Sequence, residues 1–529
     1  MIARSPVPFA YRRRTAQCNP MTMTIDLPAP AFRIHDLISM HLPRLADHPI
    51  FIEEARTWTY GEFQATLTAL AAFLREAGLQ PGDRLMIVGE NSVAQTAAIM
   101  AASTLDAWAV IVNARLSPSE IAAIQDHCDP RLMFFTHAVS DDAREHGTAR
   151  GATGHHIAGI DFSCTLARAE AIAEPVCADS REQVAALIYT TGTTGNPKAV
   201  MLTHSNLGFT SATSRASRNT GENDVIYAAL PMSHVYGLTT VVLSALWGGA
   251  TLHLVARFDA RHLLRALADG LTFFMGVPAM YLRLLALHEA GETVVAPRLR
   301  FVHCGGAPLD AALKNRVEAM FNLPINNGYG MTEASPTITV VPYNQRCDDM
   351  TVGYAIPGME TRVVDEQRRI VPQGEVGELQ IRGPNVMKGY YKAPEQTAAV
   401  LSPDGWLSTN DLVRQAPDGA FYVMGRLKDL IIRSGFNVYP SEVEAALNAH
   451  PSVVQSCVVG RPVDSDEQVI AYVEVDPQVK FDAAALSAFV AERLAPYKRP
   501  QMIVPVERLP AAQSGKILKK AVQEMAARL

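Results

Sequence analysis

The sequence predicts an α/β protein: a large N-terminal domain of two α/β layers with a small β subdomain, then a smaller α+β C-terminal domain. Three observations carry this. A chain of 529 residues exceeds what one hydrophobic core can serve, and 48% hydrophobic with 19% charged content suits a soluble globular protein able to bury several cores. Apolar runs of strand length alternate with helical patterns through the first half, the signature of parallel strands joined by crossover helices. The texture then changes twice, to short β runs broken by Gly and Pro between Gly353 and Gly425, and to a mixed unit from about Leu427.

In chain order, residues 1–30 read as a disordered extension. The first 25 hold no acid and include Arg4 and Arg12-Arg13-Arg14, a composition shared with organelle transit peptides, but they lack a signal-peptide apolar core. Met21 and Met23 are alternative starts, and cytoplasmic residence is the favoured location over import. The N-terminal domain is expected over 31–427. In it, 84–88, 109–112, 131–135 and 184–188 read as strands, and 65–77 and 119–127 as helices. Within the β subdomain, 361–364 and 377–382 are strands. The C-terminal domain, 428–529, shows a helix after Pro440-Ser441, strands at 453–459 and 470–475, a helix over 483–494 and a Lys-rich end.

Charge and cysteines exclude several classes. A net charge of −6 leaves no basic footprint for nucleic acid. Seven cysteines, odd in number and without a Cys-x-x-Cys pair, indicate neither a disulfide framework nor a zinc site, as in a reducing compartment. The longest apolar region, Leu238 to Val255, contains three threonines, a serine, two adjacent glycines and His253, which suits buried core rather than a membrane span.

Residues 189–198, Tyr-Thr-Thr-Gly-Thr-Thr-Gly-Asn-Pro-Lys, follow directly on the apolar run Val184 to Ile188 and read as a strand feeding a phosphate loop. Gly192 and Gly195 let successive N–H groups face one concave side. Thr190, Thr191, Thr193 and Thr194 add hydroxyl donors, and Lys198 adds a point charge. A polar surface turn is the plain alternative for so short a motif. The order also differs from the G-x-x-x-x-G-K-[ST] loop, so this is another kind of phosphate grip. In Asn327-Gly-Tyr-Gly-Met-Thr-Glu333, Gly328 and Gly330 free the backbone to approach a ligand, Tyr329 offers a stacking face, Thr332 a hydroxyl and Glu333 a carboxylate hard enough for Mg²⁺. Asp411 could chelate vicinal hydroxyls with Arg426 as a matching donor fork, or could cap a turn.

These segments, in this order, resemble the adenylate-forming enzymes: acyl-CoA synthetases, 4-coumarate-CoA ligases, luciferases and peptide-synthetase adenylation domains. The likeness spans about Ala31 to Lys520. It rests on TTGTTGNPK at 190–198, LPMSHVYG at 230–237, GGAPL at 305–309, NGYGMTE at 327–333, GELQIRGPNVMKGYY at 377–391, GWLSTNDL at 405–412, GRLKDLIIRSGFNVYPSEVE at 425–444 and LPAAQSGK at 509–516. The resemblance implies Tyr329 against adenine with Gly305, Gly306, Ala307 and Pro308 on its other side, Asn327 at the amino group, Thr332 on the α-phosphate, Glu333 on the metal, and Asp411 with Arg426 on the ribose. Gly435 joins the cofactor-binding set. His234, by itself as readily a core histidine, is implied to orient the carboxylate and gate a tunnel. Lys516 matches the catalytic lysine, a cation joining the attacking carboxylate to the phosphoryl group. Lys428 matches the hinge about which the small domain swings. Two departures stand out: Asn410 replaces a customary glycine, and Ala199 follows Lys198 where glycine is common.

The expected activity is that of an AMP-forming acid–thiol ligase using ATP, Mg²⁺ and coenzyme A. A carboxylate attacks the α-phosphate to give acyl-adenylate and pyrophosphate, and the CoA thiol then takes the acyl group. A non-catalytic nucleotide-binding relative, or an adenylate-forming enzyme with another acceptor, are the alternatives. Pocket walls are implied at Tyr236, Gly237, Thr240, 275–279, His303, Cys304, Gly305, Gly328, Met331 and Ile338. With Gly237, Gly276, Gly305 and Gly328 leaving room and no Arg or Lys among the walls, a hydrophobic monocarboxylate is expected, fatty or aryl, and dicarboxylates should be poor. No integral membrane segment is expected, and the assembly state is open, a homodimer included.

Overall fold

The computed structural model describes residues 28–529 except 192–196, 344, 435, 464–465, 476–478, 480 and 512–516. Two large sheets dominate. One runs, edge to edge, Gly389–Tyr390, Pro197–Thr203, Val184–Thr191, Trp108–Asn113, Arg84–Gly89, Leu132–Phe135, Ile160–Cys164 and Thr153–Ile157. Its centre is parallel, with Arg84–Gly89 between Trp108–Asn113 and Leu132–Phe135, and its margins are antiparallel. The other places Val225–Ala228, Phe273–Gly276, Phe301–Cys304 and Ile325–Gly330 side by side and parallel, then turns antiparallel into Thr337–Val340. The strands carry continuous apolar runs because helices cover both faces.

A shared core joins the layers, drawing on helices Tyr60–Glu76, Val93–Thr104 and His204–Arg218. The first begins five residues before the periodic stretch that predicts it. Thr59 accepts a hydrogen bond from the Glu62 amide and the Glu62 carboxylate returns one to the Thr59 amide, a capping box that fixes the start at Tyr60. The region Leu238 to Val255 is buried core, as expected: a π-helical segment Tyr236–Leu243, a short helix Ser244–Gly248 and strand Thr251–Leu254. Among the described residues no helix is long and apolar enough to cross a membrane.

The predicted β subdomain is a four-stranded antiparallel sheet, Glu360–Val364, Val376–Arg382, Leu407–Gln415 and Phe421–Arg426. Beyond it, strands Val453–Val463, Asp466–Val475 and Met502–Val506 pack with helices Pro440–Asn448 and Ala483–Ala491 around a separate core that includes Val443, Leu447, Val458, Val469, Leu486 and Val490. Near the N-terminus, the Ser180 amide donates to the Pro30 carbonyl at 2.7 Å, so packed chain reaches back at least to that residue.

Candidate active site

Parallel strands leave a crevice at their carboxyl ends, where successive loops diverge. Phe301–Cys304 delivers Gly305 to Pro308 there, and Ile325–Gly330 delivers Asn327 and Tyr329. Asn327 is fixed by its own ends: its Oδ1 accepts from the Gly328 amide at 3.0 Å and its Nδ2 donates to the Thr351 carbonyl at 3.3 Å. The Tyr329 hydroxyl donates to Asp411 Oδ2 at 2.5 Å, and Arg426 Nε lies 3.3 Å from Asp411 Oδ1. Asp411 and Arg426 are directly opposed across their antiparallel strands, which is why the pair forms. Burial and the Asp411 charge hold the Tyr329 phenol well above its ordinary pKa, so it stays a donor. The aromatic face assigned to adenine and the carboxylate assigned to ribose thus form one unit. Asn410, just before, has φ of 59°, a left-handed conformation that asparagine tolerates in place of glycine. Ala199 is buried and needs no positive φ.

Thr332 is buried in the short turn Thr332–Ala334, with Glu333 beside it. The Tyr390 hydroxyl donates to Glu333 Oε1 at 2.8 Å, and Lys198 Nζ stands 5.0 Å from the centroid of the Tyr390 ring. Tyr390 gets there because Gly389–Tyr390 pairs with Pro197–Thr203, placing Tyr390 opposite Val200. Tyr390 lies in the GELQIRGPNVMKGYY segment, and nothing in the sequence alone assigns it a role. Strand Val184–Thr191, which precedes the predicted phosphate loop, pairs antiparallel with Pro197–Thr203, with Thr190 opposite Lys198 and Thr191 opposite Pro197. Gly192, Thr193, Thr194 and Gly195, like Gly435 and Lys516, lie outside the described residues.

His234 is exposed, and its Nδ1 accepts from the Tyr236 amide at 3.2 Å, which leaves the ring proton on Nε2 and suits a donor that positions a carboxylate. The Tyr236 hydroxyl and His303 Nδ1 are hydrogen-bonded at 2.5 Å in a buried, edge-on ring pair. Burial, then the nearby Arg218 charge, holds His303 well below its ordinary pKa, so the imidazole is neutral. Cys304 is fully buried and its thiol is pushed up by burial, which makes it wall rather than nucleophile. Thr240 and Ile338 are buried, and Met331 is half-buried.

The glycines differ from the expectation that all four leave room. A side chain on Gly237 would collide with the carbonyl oxygens of Leu230 and Pro231, so this glycine allows backbone contact and opens no space. Gly276 abuts the Phe274 and Tyr281 rings. Only Gly305 and Gly328 face the pair: a Cβ on the first would lie 3.2 Å from His303 and 3.4 Å from Tyr236, and one on the second 3.1 Å from His303. The absence of a cation from the wall residues is also incomplete. Arg218, not singled out in the sequence, is buried and donates to the carbonyl of Thr240 at 3.1 Å. Lys428 sits exposed in the turn Leu427–Asp429 that leads out of the β subdomain.

The AMP-binding enzyme family profile matches residues 40–391, and that of the AMP-binding enzyme C-terminal domain matches 442–516. The chain belongs to the AMP-binding enzymes. It is 34% identical to a feruloyl-CoA synthase of Amycolatopsis sp, over 91% of this chain and 96% of that protein. It is 32% identical to 4-coumarate–CoA ligase 5 of Oryza sativa subsp. japonica, over 92% and 93%. Among solved structures, ATP-bound MatB from Rhodopseudomonas palustris superposes with a TM-score of 0.83 at 29% identity, covering 94% of this chain and 99% of that one. The chain is accordingly an ATP-dependent acyl-CoA synthetase that works through an acyl-adenylate, with ATP, Mg²⁺ and CoA as its small-molecule partners. The donor set fits the metal. Among the described residues no cluster of three or more His, Cys, Asp or Glu could hold an ion, and one oriented carboxylate beside a nucleotide's phosphates is the usual way Mg²⁺ is held.

Proposed function

We propose that the acid activated is an arylpropenoic acid, which is transferred to CoA after adenylation. The observation that carries this reading is the wall formed by Tyr236 and His303, two hydrogen-bonded rings with Gly305 and Gly328 set flush against them. Such a wall offers flat faces and fixed polar edges to a planar ring, whereas an alkyl chain would leave the buried His303 Nε2 without a partner. The feruloyl- and 4-coumarate-directed names of the relatives support the aryl member of the fatty-or-aryl pair.

In this reading Tyr329 and 305–308 hold adenine, Asp411 and Arg426 hold ribose, and Lys198 with the threonine-rich loop holds the phosphates. Glu333, oriented by Tyr390, would hold Mg²⁺, which supplies charge neutralisation on the phosphates. His234 and Thr332 orient the reacting groups, and Lys516 stabilises the charge that develops as carboxylate meets α-phosphate. The 428–529 unit then turns about Lys428 to admit the CoA thiol. Six cysteines without disulfides among the described residues agree with a cytoplasmic setting. The test is kcat/KM for 4-coumarate, ferulate, octanoate, palmitate, acetate and malonate. The reading requires the two arylpropenoates to lead, and a preference for octanoate or palmitate overturns it.

A further inference from the structure

Among the described residues two arginines are buried almost completely, and they are satisfied very differently. Arg84, 1% exposed, donates to the carbonyls of Cys128, Ile172, Asp129 and Gly82 and lies 3.5 Å from the Asp129 carboxylate. Its guanidinium is a structural tie. Arg218, 3% exposed at the C-terminal end of helix His204–Arg218, makes one side-chain hydrogen bond among the described residues, from Nη1 to the Thr240 carbonyl, and no described carboxylate pairs with it. A guanidinium has five N–H donors and cannot shed its charge at neutral pH, and burial lowers its pKa only to about 10. The helix C-terminus and the Phe301 ring face offset part of its charge, but a buried guanidinium whose other described donors meet no acceptor is still costly.

Its surroundings belong to the acyl pocket. Thr240 and Tyr236 share the π-helical segment Tyr236–Leu243, and a π-helical turn is a frequent mark of a functional site. The guanidinium carbon lies 5.8 Å from the Phe301 ring centroid, and Phe301 stacks on His303. The Arg218 charge acts on Tyr236 and on His303 alike. Two further buried polar atoms here lack partners among the described residues, Thr240 Oγ1 and His303 Nε2. His234, which orients the reacting groups in the proposed reaction, lies just before this segment, and Thr240 lies more than a turn further along the chain. With the wall residues of the aryl reading, His234 marks the reacting end of the pocket, and Arg218, bonded to the Thr240 carbonyl, brings a positive charge and spare donors to the neighbourhood of Thr240 and His303.

We propose that Arg218 is a specificity residue which selects, among aryl acids, those carrying an oxygen acceptor on the ring position farthest from the carboxylate. The Arg218 charge and the His303 edge together receive that oxygen, a hydroxyl being the smallest group that fits the description. This rests on the aryl reading of the pocket and goes beyond it, because an unsubstituted ring fits the flat faces of the wall but leaves both the cation and His303 Nε2 without an acceptor. A site whose buried donors are built for a substrate oxygen discriminates steeply against the analogue that lacks it.

The test compares kcat/KM for 4-coumarate and unsubstituted cinnamate in the wild type, Arg218→Met and Arg218→Lys, with Tm and ATP binding measured for each. Expected is a wild-type preference for 4-coumarate of about 10- to 100-fold, the range for losing one hydrogen bond to a charged group. The ratio should fall to within about threefold in Arg218→Met and recover in part in Arg218→Lys. A wild-type ratio below about threefold overturns the proposal even if no variant folds, as does a folded Arg218→Met that keeps the wild-type ratio. The aryl reading fails separately, if the wild type takes octanoate and neither arylpropenoate; equal use of both arylpropenoates sinks only the role of Arg218.

Discussion

Removing one oxygen atom at Tyr390 should weaken the grip on Mg²⁺ without disturbing the acid. In Tyr390→Phe the ring remains, so its packing and the Lys198 Nζ 5.0 Å from its centroid are kept, while the 2.8 Å bond to Glu333 Oε1 is lost. A hydrogen bond to a charged group contributes about 1.5–3 kcal/mol, and water reaching the half-buried Glu333 offsets part of that. A net loss of about 1–1.5 kcal/mol corresponds to a roughly five- to tenfold rise in the Mg²⁺ concentration for half-maximal ATP–pyrophosphate exchange. Mn²⁺ titration followed by electron paramagnetic resonance in the presence of ATP should show the same weakening independently of turnover. KM for the acid should stay within about twofold, because the hydroxyl removed bonds to Glu333 and, among the described residues, to no proposed pocket residue. Glu333→Gln serves as the reference and should shift the metal dependence further. If Tyr390→Phe leaves metal affinity unchanged while Glu333→Gln lowers it, Tyr390 does not orient the carboxylate; if neither moves it, Glu333 is not the ligand.

Other consequences are equally concrete. Lys516→Ala should slow adenylation about a hundred- to a thousandfold, the scale for removing a preorganised charge stabiliser, and spare CoA attack on supplied acyl-adenylate; equal losses in both half-reactions would refute that role. Lys428→Pro, which fixes φ near about −65°, should let acyl-adenylate form but accumulate without thioester, and normal steady-state acyl-CoA formation would remove Lys428 as the pivot. Glu444, whose carboxyl is pushed up by burial despite Lys519 3.9 Å away, binds its proton more tightly folded than unfolded. Its contribution to stability is therefore present below the ordinary carboxylate pKa and is lost as pH rises through the elevated one. Glu444→Gln should raise Tm at neutral pH and make little difference near pH 4, a pattern that a thermal-shift series checks and that a lower neutral-pH Tm would contradict.

What the sequence made legible was mostly local. Turn residues and strand runs placed the β subdomain, and Asn410 is an asparagine able to take the left-handed backbone found there. Helix Tyr60–Glu76 was foreshortened because apolar period, rather than the Thr59-x-x-Glu62 capping pair, set its start. The site's supporting contacts were hidden for another reason: they join residues far apart in the chain. Tyr329 reaches Asp411 across 82 positions, Tyr390 reaches Glu333 across 57, and Arg218 reaches the Thr240 carbonyl only because a helix ends against a π-helical turn. No periodicity announces such pairs. Gly237 shows the same limit in miniature, since a glycine in a motif signals freedom or room, and only the fold reveals which.

The most direct test of the central claim is to mix the enzyme with ATP, Mg²⁺ and 4-coumarate without CoA, then add CoA, following products by mass spectrometry and pyrophosphate release. The expected result is pyrophosphate and enzyme-bound coumaroyl-AMP in the first stage, then coumaroyl-CoA and AMP in equal amounts on addition of CoA. Formation of ADP and phosphate in place of AMP and pyrophosphate, or thioester formation with no adenylate at any stage, would contradict it.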